Sequence, residues 1–219
     1  MPFSLLYLAL FLAALGMLMV LVQLGLVTMT FEKLGLSQDS AFLLLFLSLF
    51  GSAINLPLFS LRSRAPPRPV EKVFYGLLRG PRLAWSGRTL VTVNVGGGLI
   101  PVLFSFYLFG HTPVGIVETV VATVIVAAVS YRLSRPLPGL GVAMPVLVAP
   151  VTAALAALLL GGEYRAPLAY ISGSLGVLIG ADLLRLRDIP ALGVPAASIG
   201  GAGTFDGIFL TGLVAVLLS

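Results

Sequence analysis

The sequence of 219 residues has no cysteine and a single histidine. Disulfides and thiolate metal sites are therefore excluded. His111 stands alone in a short loop, so no imidazole cluster for a metal is present. Charge is also scarce. Asp, Glu, Lys and Arg make up 10% of the chain, against about 25% in an ordinary soluble domain. No phosphate-binding loop, zinc-binding helix or nucleophile elbow occurs. No cofactor is implied.

What fills the chain is hydrocarbon: 58% of residues are hydrophobic. The apolar runs are long and continuous and lack the alternation of barrel strands, which predicts membrane helices. The first run, from Phe3, lacks a basic leader and is too long for a signal peptide, so it reads as a retained helix. Windows of about 20 apolar residues give seven expected spans, near 3–27, 41–60, 89–109, 114–131, 138–160, 168–184 and 193–218. The expected fold is an all-α, polytopic membrane bundle of about seven transmembrane helices. It forms one transmembrane domain over 1–219, with a basic cytoplasmic loop at 61–88.

Seven spans place every Lys and Arg on one side except Lys33 and Arg165. That asymmetry is the positive-inside signal. It predicts an inner-membrane protein with a cytoplasmic N-terminus and an outward C-terminus. It also accounts for the net charge of +5 without a nucleic-acid partner. The loop from Arg62 to Arg88 mixes bases with Tyr75 and Trp85, which suits the lipid interface. Its bases are a topology anchor, or a site for an anionic lipid.

Polar residues inside the spans are few, so their depths carry information. At a rise of about 1.5 Å per residue, Asp182 lies about 21 Å from Leu168 and Asp206 about 18 Å from Leu218. The two carboxylates are expected at one level, with Asn55 and Asn94 in the same cytoplasmic third. An acid within a membrane helix normally faces a bundle interior or a hydrated cavity. Alternatively, Asp182 reaches the interface and pairs with Arg185 one turn on. Gly200, Gly201 and Gly203 disfavour a continuous last helix. Thr204 is placed to N-cap a new half-helix, with Asp206 in its first turn where the dipole favours an anion. Close helix packing is the other use of these glycines. The expected binding set is Asp182, Asp206, Asn55, Asn94, Thr204, Gly201 and Gly203.

Four stretches resemble one family: GSAINLPL at 51–58, TVNVGGGLIP at 92–101, LSRPLPGLGVAMP at 133–145, and AYISGSLGVLIGADLL through GGAGTFDGIFLTG at 169–212. They are similar to the prokaryotic multi-pass membrane family known as domain of unknown function 1614. That resemblance implies a membrane protein and supplies no activity. A looser one is to GxGD-type intramembrane aspartic proteases, in which Asp182 and Asp206 would be the catalytic pair. Here Phe205 precedes the second aspartate in place of glycine, and Ala181 precedes the first in place of tyrosine.

Three functions follow as expectations. The first is transport of a monovalent cation or a proton-coupled small solute by an oligomeric bundle. There Asp182 and Asp206 bind the ion, and Asn55 and Asn94 add neutral oxygens. The second is peptide cleavage by two aspartates that activate a water. The third is a structural or assembly role in which the polar layer locks helix packing.

Overall fold

The structure, a computed structural model, describes residues 12–20, 26–64, 87–137, 141–201 and 207–219. It has a mixed α/β fold, and this corrects the all-α bundle of seven spans. Among the described residues only Ile116–Leu133 and Gly162–Ala191 are helices long and apolar enough to cross a bilayer. Several apolar runs that read as single spans are divided between a helix and a strand.

Helix α1 spans Leu26–Lys33 and α2 spans Gln38–Gly51. The Ser37 hydroxyl caps α2 by accepting from Ser40 N–H at 3.3 Å. Past Ser52 the chain becomes β1, Asn55–Arg62. Pro57 explains the change: it has no N–H and cannot sit inside a helix without breaking it. On an edge strand beside a bulge it is tolerated, and the β1–β2 register shifts between Pro57 and Phe59. The next run divides in the reverse order. Strand β2, Arg88–Asn94, leads through a π-helical turn, Val95–Leu99, into α3, Ile100–His111. Thr89, Val91, Thr92 and Val93 are β-branched and favour the strand. Pro101 lies in the first turn of α3, where its missing N–H costs nothing.

Helix α4, Ile116–Leu133, is followed by a small antiparallel pair, β3 (Arg135–Leu137) and β4 (Gly141–Ala143). Helix α5 then runs from Val148 to Leu160. Helix α6, Arg165–Val177, continues through a second π-helical turn, Leu178–Leu183, into a 3₁₀ segment, Leu186–Ala191. Strand β5, Ala196–Ile199, takes the start of the expected last span, and α7 is Gly207–Leu218.

The sheet order is β1-β2-β5. Strand β1 runs antiparallel to β2, from Asn55↔Asn94 to Arg62↔Arg88, and β5 runs parallel to β2. A parallel pair needs a long crossover, and here helices α3 to α6 supply it.

Helix α6 is the centre of the bundle, packed against α3, α4, α5 and α7. The interior is built from small residues, among them Ala122, Ala149, Ala153, Ala157 and Ala169. Gly176 and Gly180 set the α4–α6 approach. A Cβ on Gly176 would lie 2.6 Å from the Val126 Cβ, and one on Gly180 would overlap the Ala127 carbonyl oxygen. Larger side chains such as Tyr170, Leu108, Leu168 and Ile171 fill the spaces between them, while many others point outward: Phe106 is 63% exposed, Val117 71% and Leu159 84%.

Arg185 ties the end of α4 to the segment after α6. Its guanidinium donates to the Tyr131 carbonyl at 2.6 Å, the Ser134 carbonyl at 2.8 Å and the Ser134 hydroxyl at 3.1 Å. It pairs with Asp188 at 3.1 Å and lies 4.2 Å from the centre of the Tyr131 ring. The guanidinium thus holds carbonyls at a helix C-terminus, where positive charge is favoured. Arg185→Gln is expected to cost about 2 kcal/mol, from lost charge-assisted bonds and the ring contact. A fall in the unfolding midpoint in detergent, set against wild type, measures it.

Candidate functional site

The polar residues of the sequence gather where the sheet meets the two π-helical turns. Asn94 ends β2 and caps the first turn, its Oδ1 accepting from Gly97 N–H at 2.7 Å. Its Nδ2 donates to the Ser52 carbonyl at 2.7 Å and to Asn55 Oδ1 at 3.2 Å. Asn94 is fully buried, so these bonds replace all its contact with solvent. Asn55 is exposed and is its cross-strand partner. The Ser198 hydroxyl of β5 donates to the same Asn55 Oδ1 at 2.7 Å. One amide oxygen therefore joins the two edge strands across β2.

Close backbone approach makes this junction possible. Ser48 of α2 donates its hydroxyl to the Gly96 carbonyl at 2.7 Å. A side chain on Gly96 would overlap the Ser48 carbonyl. At the other end, Gly200 follows β5 with φ of +77°, and its missing side chain leaves room for the Gly98 backbone.

Asp182 belongs to the second π-helical turn. Its Oδ2 accepts from Gly200 N–H at 3.1 Å, which ties α6 to the end of β5. The carboxylate is half-buried. It opens on a cleft of about 210 Å³, whose wall includes Val142, Ile189, Leu192, Ser198 and Gly201. The described residues thus hold no fully buried acid. The ion-pair partner that Arg185 takes is Asp188, not the Asp182 of the alternative reading.

The polar groups of the cleft are oxygens set among aliphatic walls. Among the described residues strand β5 pairs only with β2, at one edge of the sheet. Backbone carbonyls of an edge strand, a serine hydroxyl and a carboxylate are ligands for a small cation or an ammonium group. Among the described residues no group of His, Cys, Asp and Glu could hold a metal ion.

Of the residues singled out from sequence, Asn55 and Asn94 bond directly. Asp182 and Gly201, with φ of +85°, line the cleft. Gly203, Thr204 and Asp206 lie outside the described residues; of the expected break at Gly200, Gly201 and Gly203, the first two are described, and they follow a strand and have positive φ. The Asp182–Asp206 pair therefore has no described geometry. Sequence reasoning missed Ser198 and Ser52. Ser198 sits in a four-residue strand with no pattern of its own, and Ser52 contributes a carbonyl, which no side chain advertises.

No curated protein and no solved structure matches the chain. Nothing in these comparisons supports kinship with intramembrane aspartic proteases. Residues 49–218 match a family described as protein of unknown function (DUF1614). That stretch covers well over half of the sequence and spans the sheet, both π-helical turns and the cleft, so the chain belongs to the DUF1614 family.

Proposed function

We propose that this protein resides in the inner membrane and binds a monovalent cation, or a small solute moved with a proton, in the Asp182 cleft on its way across. The observation that carries the reading is the cleft itself. A carboxylate held by a backbone N–H faces a strand edge and a hydroxyl, with aliphatic walls around them.

Lipid placement is supported by the inverted packing. Soluble monomers rarely expose contiguous apolar patches above a few hundred Å². Here α4 exposes Ile116, Val117, Val120, Val121, Val124 and Ile125, while its buried face carries Ala, Thr and Ser with the single larger residue Val126. Small residues at helix contacts are how membrane helices pack, since lipid leaves no hydrophobic force between them. Charge placement supports the orientation. Arg132, Arg135, Arg185 and Arg187 gather where α4 and α6 end, and the Arg64 N–H bonds the nearby Pro190 carbonyl at 2.8 Å. Arg165 stands at the opposite end of α6. On this reading the arginine-rich end is cytoplasmic, and two copies or more form the working unit.

The π-helical turn that carries Asp182 also favours function, because such turns concentrate at functional positions. A purely architectural role is the rival, supported by the internally satisfied Asn55–Asn94–Ser198 bonds. Flux in proteoliposomes separates the two. With Na⁺, K⁺ and proton gradients applied in turn, Asp182→Asn is expected to cut flux at least about tenfold, because a neutral amide attracts no cation. The helical content and unfolding midpoint of the variant should stay close to wild type. Undiminished flux would contradict transport through this cleft. A change in midpoint alone, with no flux in either protein, would favour architecture.

A further inference from the structure

The end of the β1–β2 pair holds a second polar recess, away from the Asp182 cleft. Arg62 and Arg88 are direct cross-strand partners. Two like charges in that position repel. Ser60 lies on the same face, two residues before Arg62 along the strand. Together with Gly87 these residues line a recess of about 540 Å³. Neither arginine has an ion-pair partner among the described residues. The intervening sequence offers little relief, since residues 65–86 carry Arg68, Lys72, Arg79 and Arg82 against Glu71 alone.

We propose that this recess is a phosphate clamp that takes the headgroup of an anionic phospholipid. Paired guanidiniums match a phosphate bidentately, and an anion between them converts their repulsion into attraction. The strand also distinguishes a lipid from a free phosphate. Leu58, at the bulge, is exposed on β1 two residues before Ser60 and four before Arg62, while exposed Leu56 and Phe59 flank it on the other face. At about 3.4 Å per residue, Leu58 and Arg62 lie about 14 Å apart along the strand. Strand β1 therefore presents Leu58 and then Arg62, with Arg88 opposite it on β2, hydrocarbon followed by cations in the order a lipid presents its acyl chains and its phosphate. The clamp shares the bilayer placement proposed above but not the cleft, so loss of transport would leave it standing.

Native mass spectrometry of the full chain in nonionic detergent tests the clamp. Three probes are titrated: dioctanoyl phosphatidylglycerol, dioctanoyl phosphatidylcholine and inorganic phosphate. The anionic lipid is expected to bind most tightly, with affinity falling roughly tenfold or more in Arg62→Gln/Arg88→Gln. Arg62→Lys/Arg88→Lys should recover only part of it, because lysine keeps the charge and loses the fork. Both arginines are exposed, so the variants should fold, and their unfolding midpoints without lipid check this. Equal binding of the two lipids would overturn the proposal, as would full recovery by lysine. Inorganic phosphate binding as tightly as the anionic lipid would overturn the assignment to lipid.

Discussion

Asn94→Leu is expected to destabilise the protein by about 3–4 kcal/mol, because it strands the Ser52 carbonyl and the Gly97 N–H in a buried site. Leucine keeps the branched shape, with somewhat larger volume, and removes every bond. Asn55→Ala supplies the contrast. Asn55 shares the network but is exposed, so water replaces its partner and the cost should stay within about 1 kcal/mol. Denaturant or thermal unfolding of both variants in the same detergent measures the difference. Similar losses for the two would mean that burial at the β2 end is not what makes Asn94 important.

Gly200→Ala should be at least as damaging, for two separable reasons. Its φ of +77° alone costs an alanine about 1 kcal/mol. Its Cβ would also stand 2.5 Å from the Gly98 nitrogen and 2.6 Å from the Gly98 Cα, both backbone atoms that cannot swing aside. The sheet end would have to part from the first π-helical turn, at a total cost of about 3 kcal/mol or more. It would also carry Gly200 N–H away from Asp182. Gly35→Ala isolates the first reason, since Gly35 has φ of +75° and nothing within 4 Å of its Cβ position. A loss near 1 kcal/mol there, beside a far larger one at Gly200, would assign the excess to the Gly98 contact. Matching losses would mean the close approach does not constrain the fold.

The sequence made the scarcity of charge, the long apolar runs and the family resemblance legible, and it picked out most of the polar residues at the junction. It did not reveal the strands. Hydropathy windows count apolar residues, and both a membrane-length helix and a strand with apolar side chains on both faces satisfy them. Strand β1, NLPLFSLR, exposes nearly every residue, so the usual alternation of polar and apolar positions is absent. Pro57 and the β-branched run Thr89–Val93 were the readable signals, and both favour strand over helix. Strand β5 carried no such signal: four residues with two alanines do not declare a parallel edge. Depth counting along helices grouped Asn55 with Asn94. The structure pairs them across two strands, a closer relation that arises from a different geometry. Ser198 and the Gly200 N–H enter the site only because β5 returns beside β2, a long-range event with no local mark.

The absence of native cysteine permits the most direct test of the Asp182 cleft. Ser198→Cys places one thiol on the cleft wall, in a chain with no other. The purified variant, in lipid nanodiscs, is treated with a cationic and with an anionic methanethiosulfonate reagent of similar size. A carboxylate facing the same cleft should make the cationic reagent react roughly tenfold faster, and adding Asp182→Asn should abolish that preference. Equal rates with both reagents, or a preference that survives the loss of the carboxylate, would contradict a cation site at Asp182.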